Sequence, residues 1–556
     1  MGQGRSRITL KNLQARNRKF PSVNSDVLMC IGVFPWGPMH QAQVVTDFGD
    51  FVDKYGIELY GPFMDGYESG IQVKNFFDMG GRRAVIVRVA HLTAYLTGTT
   101  LLSAAKGTVT LVTDGLAPYG LQNTLTLDAL YYGTRPLYAV VQAASNGEAS
   151  RFDLLIYETG VSQYLEWFRN VTMDTTDPLY VEDVVNTIGA TRSLLVRATD
   201  ETASGSATQR RPINISPATL TGGNEGLTLL DDNDFIGAAA HNTGVYAFNL
   251  EAEGDMLINP DKITTAAQNA LTAWCGAVTG RNGKALYYLE SPASTAKAGV
   301  VAHAQALTAS EDRTAVYWPH VQMVNPLKSL FGAADYIEVS PVGMICGRVA
   351  LNSQTEKQAQ GCEPVNEVYG LLNLATGLEG TTPENIRHEV LSDGVQDYVT
   401  DYGVIPIISG LRGIDNNFGV WVNDTMLGKL SGNWVSVGQG HLLTKFRREV
   451  SLYMERHRGQ GMTEERRREQ EGALGSYFLQ WLPRDVFASQ DADEAFYVDT
   501  DPKGESLNNP LIRMNLTSKV LIGLALAEPG RFIEIIFTKD DRGVQSFILQ
   551  QLAANG

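Results

Sequence analysis

The residues of this chain that could do chemistry are few, and their spacing is wrong for the common sites. The segment TGRNGKA at 279–285 resembles a phosphate-binding loop. However, position 278 is not glycine, and Ala285 replaces the hydroxyl residue that would hold magnesium. A turn that caps a helix explains the segment better, so we predict no nucleotide site here.

Metal sites are equally poorly supported. The segment DTDPKG at 499–504 places acids at the first and third positions of a calcium loop. Lys503 occupies the fifth position, and Pro510 stands where a bidentate glutamate is needed. The eight histidines show no pair at metal-ligand spacing on a helix. We therefore expect no metal ion and no other cofactor.

A catalytic nucleophile is not marked either. The sequence contains no GxSxG turn. A serine, a histidine and an aspartate could still meet in space, because triads are assembled by the fold and not by spacing. We expect a protein that is not an enzyme and keep a hydrolase as the alternative from a different class.

Length and charge limit the remaining classes. A chain of 556 residues is long enough for about three or four domains. Its net charge of −16 argues against a body that wraps nucleic acid. Residues 1–20 hold six cations and no acid, so the other residues carry −22. This basic segment could bind nucleic acid, anionic lipid or the acidic body of another copy, or it could be a solvated terminus.

Cysteine and apolar patterns indicate a protein made in a cytoplasm. The four cysteines are far apart and form no CxxC motif, which is typical of reduced, buried thiols. We expect no membrane span, because no apolar run reaches the roughly 20 residues that a bilayer needs. The basic start lacks the apolar region of a signal peptide.

The elements that would position any site follow an α/β order. Segments 27–38 and 83–90 read as buried strands, with helices at 45–56, capped by Thr46, and at 67–81. From 92 to 215, short alternating runs rich in Thr, Gly and Ser predict an antiparallel β insertion. Strands at 244–251, 284–290 and 313–323 then alternate with helices at 262–280 and 294–310, as in a doubly wound parallel sheet.

The last third of the chain combines a basic helix with apolar strands. The pattern of segment 440–458 predicts an amphipathic helix. Its arginines form either a solvated face or a positively charged surface that binds an acidic partner. A polar segment at 459–472 follows, and strands are predicted near 494–502, 519–527 and 531–537. The final run, 544–552, fits one face of a helix as well as one face of a strand.

Several segments, taken in order, resemble the tail sheath protein of contractile bacteriophages. They are VKNFFDMGGRRAVIVRV (73–89), TLTGGNEG (219–226), AVYWPHVQMVNPL (315–327), VSPVGMICGRVALN (339–352), GVIPI (403–407), LTKFRREVSLYME (443–455) and EPGRFIEIIF (528–537). The chain departs from the family at 420–427, where only Trp421 and Thr425 fit the run Trp-Gly-Ala-Arg-Thr.

The resemblance implies an α/β and α+β multidomain fold. Its parts are expected to be an N-terminal extended arm, 1–22; a central subtilisin-like but non-catalytic α/β domain, 23–91 and 216–400; an inserted antiparallel β domain, 92–215; an inner α+β domain, 401–543; and a C-terminal arm, 544–556.

The resemblance also implies a function. Sheath subunits polymerise helically as hexameric rings around an inner tail tube, and the sheath contracts to drive the tube through the host envelope during genome ejection. The implied partners are further copies of the chain, the tube protein, and baseplate and tail terminator or neck proteins, without nucleic acid or membrane. The implied location is the virion, after assembly in the host cytoplasm. The sheath of a phage-tail-like bacteriocin or injection system is an alternative.

The resemblance finally suggests residues for assembly by strand exchange. The predicted inter-subunit arms contain Ile8, Leu10, Leu13, Val544, Phe547, Ile548, Leu549 and Leu552. The predicted acceptor sheet contains Phe532, Ile533, Ile535 and Phe537. The predicted tube-facing residues are Arg447, Arg448, Arg456 and Arg458.

Overall fold

A computed structural model describes most of the chain between residues 26 and 527. The described residues are 26–91, 104–115, 117–187, 192–213, 215–251, 253–293, 295–328, 334–354, 371–374, 391, 393–409, 418–420, 424–431, 436–515 and 517–527.

Twenty-two strands occur in these residues. They are β1 Leu28–Gly32, β2 Ala42–Val45, β3 Ala84–Arg88, β4 Ala104–Ala105, β5 Thr108–Val112, β6 Asn123–Ala129, β7 Leu137–Ala143, β8 Arg151–Glu158, β9 Glu166–Thr172, β10 Val196–Asp200, β11 Ile215–Thr219, β12 Asn224–Glu225, β13 Met256–Ile258, β14 Leu286–Glu290, β15 Arg313–Trp318, β16 Val321–Val324, β17 Tyr336–Val339, β18 Leu371–Leu374, β19 Val404–Ser409, β20 Phe418–Val420, β21 Phe496–Asp499 and β22 Leu521–Leu524.

The described α-helices are numbered in the same way. They are α1 Phe48–Tyr55, α2 Ser69–Asp78, α3 Val181–Asn186, α4 Ala207–Arg210, α5 Asp232–Ile236, α6 Thr265–Gly276, α7 Lys297–Gln305, α8 Val342–Gln354, α9 Asp393–Thr400, α10 Met426–Ser431, α11 Val437–Glu455, α12 Glu464–Leu479, α13 Ala492–Ala495 and α14 Pro510–Met514. None of the described helices is both long enough and apolar enough to span a bilayer.

A mostly parallel sheet of eight strands lies at the centre of the molecule, in the order β2-β3-β1-β13-β14-β15-β19-β20. Its six inner strands run parallel, and β2 and β20 are antiparallel edge strands. Strands such as β1 and β14 are buried along their whole length, as expected for a parallel sheet covered on both faces. The strand and helix cadence therefore predicted a parallel sheet, but the strand predicted at 244–251 lies instead at 256–258, as β13.

Helices α2 and α8 cross closely on one face of this sheet. The crossing depends on Gly343 and Gly347, one turn apart on α8. A Cβ atom at Gly343 would lie 2.4 Å from the backbone oxygen of Gln72, and one at Gly347 would lie 2.4 Å from that of Phe76. Only glycine allows the two helix backbones to approach so closely.

The region after β3 forms antiparallel sheets, as the alternating runs predicted. One sheet has the order β10-β6-β5 and another the order β11-β7-β8-β9. They enclose a separate apolar core that includes Leu127, Phe152 and Ile156. Arg88, at the end of β3, ties this region to the central sheet, because its buried guanidinium donates to the carbonyls of Phe34 and Tyr132.

A third body follows in the C-terminal part of the chain. Helices α11 and α12 pack through Phe446, Tyr477, Phe478 and Trp481. The antiparallel hairpin of β21 and β22 covers the same apolar cluster. In the described residues this body contains helices and an antiparallel sheet, whereas β19 and β20, which lie within the predicted bounds 401–543, belong to the central sheet.

Two local predictions were wrong. Residues 244–250 form a 3-10 helix and not a strand, because the apolar residues of this short run bury themselves in a helical turn. The cap of α1 is Asp47 and not Thr46, since the Asp47 carboxylate accepts the N–H of Asp50.

Candidate assembly surface

Helix α11 and the residues just after it carry the arginines that were predicted to face the tube. It begins with a capping box, in which Ser436 accepts the N–H of Gln439 and Gln439 accepts the N–H of Ser436. Leu442, Phe446 and Tyr453 follow at helical spacing and are buried. One face of α11 therefore packs on α12, and the other lies against the amino ends of the central strands.

The contact between α11 and the central sheet is a buried network of four charged residues. Nε2 of His441 lies 2.7 Å from Oδ1 of Asp26, and Nη1 of Arg448 lies 2.8 Å from Oδ2 of Asp255. The Asp255 carboxylate also accepts the N–H groups of Asp26 and Val27. Two anions and two cations balance one another, as a buried network requires.

The Asp26–His441 pair shifts the titration of both groups. Burial alone lowers the pKa of the His441 imidazole, but the hydrogen bond and the charge of Asp26 outweigh burial and raise this pKa. Burial alone would raise the pKa of the Asp26 carboxyl. The hydrogen bond and the charge of His441 act in the opposite direction, and the net effect is a lowered pKa. The folded protein therefore favours the charged form of both groups.

Three residues of this network have side chains close enough together to be considered as ligands of a metal ion. They are Asp26, Asp255 and His441. Sequence spacing could not find this group, because His441 is 415 positions from Asp26. The Arg448 guanidinium already occupies Oδ2 of Asp255, and His441 already binds Asp26. The donor set therefore fits an ion-pair network and not a metal site.

The prediction that Arg448 faces the tube was wrong. Its side chain is 5% exposed and lies against Asp255, so it offers no charge to a surface partner. Arg447, one residue earlier, is partly exposed and pairs with Glu311 at 2.9 Å. Arg456 and Arg458 are exposed beyond the end of the helix. Adjacent residues of α11 point to different sides, which separates Arg448 from the other three.

A cleft of about 870 Å³ lies beside the last turn of α11. Three segments that are distant in sequence line it together with α11: the turn at 282–284, the loop at 457–462 and the segment at 513–518. Its charged lining residues are Lys284, Glu455, Arg458 and Arg513. Of these, the sequence pointed only to Arg458.

The predicted arms and the predicted acceptor strand lie outside the described residues. This applies to Ile8, Leu10, Leu13, Phe532, Ile533, Ile535, Phe537, Val544, Phe547, Ile548, Leu549 and Leu552. The described strands that come just before the predicted acceptor strand in the sequence are β21 and β22. Within the described residues they form a two-stranded sheet. Tyr497 and Leu521 on these strands are 56% and 51% exposed.

The segments that resembled chemical motifs have structural roles. In the turn at 279–285, the N–H of Gly283 donates to the carbonyl of Cys275. This hydrogen bond caps the C-terminal end of α6, as predicted. In the loop at 499–504, the Asp501 carboxylate accepts the N–H groups of Gly504, Glu505, Ser506 and Asn508. Its oxygens are therefore used by the loop itself.

Proteins with α/β folds often bind ligands at the carboxyl edge of the central sheet. Here the polar groups at this edge bind one another. The half-buried Asp261 carboxylate accepts from the N–H of Val33 and from the N–H and hydroxyl of Ser69. Burial raises the pKa of Asp261 to about 6 and that of Glu290 to about 8. A Cβ atom at Gly32 would lie 1.7 Å from Oγ of Ser69, so no room for a ligand remains between them.

Comparison with known proteins shows which fold these elements form. No protein-family model and no curated protein matches the sequence. Solved structures do match. The sheath tail protein of Desulfitobacterium hafniense aligns with a TM-score of 0.55 and 12% identity, over 89% of this chain and 93% of that one.

Sheaths of contractile injection systems match over a similar extent. The contracted PVC sheath of an extracellular contractile injection system aligns with a TM-score of 0.51 and 13% identity, over 97% of this chain and 99% of that one. The contracted helical sheath of the anti-feeding prophage aligns with a TM-score of 0.51 and 13% identity, over 93% and 94%. The chain therefore has the fold of contractile tail sheath proteins, and the resemblance seen in the sequence is confirmed at the level of fold.

Proposed function

We propose that this chain is the structural subunit of a contractile sheath. It polymerises helically as hexameric rings around an inner tube, and contraction of the sheath drives the tube through a host envelope. The observation that carries the proposal is the alignment over almost the whole length of sheath proteins, two of them in contracted sheaths. A likeness over whole chains supports a shared kind of assembly more strongly than a likeness of one domain.

Assembly by strand exchange is the mechanism that we propose for subunit contacts. A helical array needs heterologous contacts, in which one patch binds a different patch on the next copy. The segments 5–15 and 544–552 would add as strands to the sheet of a neighbouring subunit. The hairpin of β21 and β22 supports this proposal, because Tyr497 and Leu521 are exposed on it and could pack against an added strand.

A weak electrostatic contact with the tube is the second part of the mechanism. We assign it to Arg447, Arg456 and Arg458, since Arg448 is buried. Exposed ion pairs contribute only about 0–1 kcal/mol each. Contacts of this strength, repeated over many subunits, suit a sheath that must release its tube during contraction.

The central α/β layer serves as scaffold in this proposal, similar to a subtilisin-like domain without catalysis. A serine-directed covalent probe tests this point. Stoichiometric labelling of a single serine would favour the hydrolase alternative.

Two particles could contain such a subunit. In a bacteriophage virion the sheath would join baseplate and tail terminator or neck proteins and serve genome ejection. The likeness to the PVC and anti-feeding prophage sheaths favours an extracellular injection particle as a second candidate. The neighbouring genes separate the two, because only a phage carries its capsid and DNA-packaging genes beside the sheath gene.

Negative-stain electron microscopy of the purified full-length protein tests the main proposal. We expect rings or tubes, alone or with the tube protein encoded beside it. A chain that stays monomeric at high concentration and in the presence of that tube protein would contradict the proposed function.

A further inference from the structure

The C-terminal body has two charged poles of opposite sign. The first is the cleft at the end of α11, whose lining contains the cations Lys284, Arg458 and Arg513 and the single carboxylate of Glu455. Neither Lys284 nor Arg513 forms an ion pair with another described residue, whereas Arg458 lies 3.8 Å from Glu455. The cleft therefore presents an excess of positive charge on an otherwise acidic protein.

The second pole is the segment 485–494, which we call the acidic turn. It contains four exposed acids and no lysine or arginine: Asp485, Asp491, Asp493 and Glu494. Gln490 donates to Asp485 at 2.7 Å, and Ser489 donates to Glu494 at 2.8 Å. These hydrogen bonds hold the acids on one compact projection.

The two poles lie at opposite ends of the same body. The cleft includes Met462, just before α12, and the acidic turn begins after that helix ends. Sixteen helical residues span about 24 Å.

Hydrogen bonds place the acidic turn beside the other end of α11 as well. Ala527 donates its N–H to the carbonyl of Val486 and accepts from Gln439, which lies in the first turn of α11. The cleft lies beside residues 451–455 in the last turns of that helix. One copy therefore cannot bring its own poles together.

We propose that the cationic cleft binds the acidic turn of a second copy of this chain, head to tail. A patch at one pole that binds a different patch at the other pole is a heterologous contact, which continues from copy to copy and builds a filament or ring. Carboxylates of the turn would meet Lys284 and Arg513 in the cleft, where the partly enclosed setting strengthens the attraction. Arg458 lines this cleft and is also one of the arginines assigned to the tube.

This inference deepens the proposed function and rests on it, because both require self-assembly. It adds a contact that does not use the arms and that depends on salt. Raising the ionic strength should weaken it, since screening shortens the range of exposed charges to about 10 Å at 0.1 M and to about 3 Å at 1 M.

Charge exchange between two variants of the full-length protein tests the contact. One variant carries Lys284→Glu and Arg513→Glu, and the other carries Asp485→Lys, Asp491→Lys and Asp493→Lys. Alone, each variant has two poles of equal sign, so we expect the concentration needed for half-maximal assembly to rise at least tenfold. Mixed in equal amounts, the variants again offer complementary poles at every contact, and assembly should return to within about threefold of the original protein.

The matched control carries Arg82→Glu and Lys297→Glu, which changes the net charge equally at two positions outside the cleft. We expect it to assemble normally, and circular dichroism and melting curves check that every variant folds. Assembly is measured by sedimentation and electron microscopy, with and without the tube protein. Folded variants that assemble like the original protein, or a mixture that does not recover, would overturn the contact but not the sheath function.

Two further outcomes are equally decisive. If the cleft variant assembles normally alone and loses only tube-dependent assembly, the cleft binds the tube and the head-to-tail contact is wrong. If the original protein never self-associates, the contact and the proposed function are both wrong.

Discussion

The Nη1 atom of Arg448 lies 2.8 Å from Oδ2 of Asp255, and both side chains are almost fully buried, at 5% and 1% exposure. Asp255 precedes β13, and Arg448 belongs to α11, so the pair fastens the C-terminal body to the amino edge of the central sheet. His441 and Asp26 make a second connection between the same two parts. Movement of the two bodies relative to each other would have to break both connections.

Loss of Arg448 should therefore cost much more stability than loss of its neighbour. Arg448→Met leaves the Asp255 carboxylate buried without its cation, and we expect a loss of about 3 kcal/mol in the free energy of unfolding. The matched control is Arg447→Met, which removes an exposed pair with Glu311 and should cost no more than about 1 kcal/mol. Urea unfolding measures both variants, and equal losses would contradict the burial of Arg448.

The stability that His441 supplies should depend on pH. Because its pKa is raised in the folded protein, this stability is complete below the unfolded value of about 6.5 and is lost as the pH rises through the folded pKa. Because the pKa of Asp26 is lowered, the contribution of Asp26 is complete above about pH 4 and is lost as the pH falls through its folded pKa. The pair should therefore stabilise most between about pH 4 and pH 6.5.

Melting temperatures of the original protein and of His441→Gln between pH 5 and pH 9 measure this effect. We expect the difference between the two proteins to be largest near pH 6 and to shrink as the pH rises. Comparing the two proteins at each pH cancels other titrating groups, including Asp261 and Glu290, which are present in both. A difference that grows with pH would show that His441 is bound as the neutral imidazole.

Two glycines in helices should respond to alanine in opposite directions. Gly347→Ala places a Cβ atom 2.4 Å from the oxygen of Phe76 and should destabilise the protein by about 1–3 kcal/mol, because α2 and α8 must separate. At Gly472 on α12 no atom lies within 4 Å of the added Cβ. There alanine should stabilise by about 0.5–1 kcal/mol through its better helix propensity. Thermal unfolding of both variants checks the pair.

Removal of the proposed C-terminal arm should separate folding from assembly. We expect a chain that lacks 544–556 to be folded but unassembled, since strand donation to the neighbour is lost. A chain that lacks only 553–556 keeps the apolar run and should assemble. Electron microscopy and sedimentation compare the two truncated chains, and sheaths formed without 544–556 would rule out this arm.

Reversal of the exposed arginines should affect only the contact with the tube. We expect Arg447→Glu combined with Arg456→Glu to abolish assembly on the tube while the melting temperature changes little, because exposed pairs contribute little to folding. Arg82→Glu combined with Lys297→Glu is again the matched control. Unchanged co-sedimentation of the double variant with the tube protein would count against this surface.

Much of the central layer was predictable because its information is local. Continuous apolar runs such as Leu286–Glu290 mark buried parallel strands, and the helix predicted at 262–280 contains α6. The same reasoning failed at 244–250, where a short apolar run fits a strand and a helix equally and only the surrounding contacts decide.

The sequence by itself determined the order of the main elements, the antiparallel character of the insertion and the absence of the sequence motifs of common enzymes. Only the tertiary structure decided which charges are available. Arg447 and Arg448 are adjacent in the chain, yet one is exposed and the other is neutralised by a carboxylate 193 positions away. The cleft at the end of α11 is likewise lined by residues from segments that are distant in sequence: 282–284, 451–462 and 513–518. Periodicity reports which face of a helix is apolar, but the partner of a buried charge is set by long-range packing.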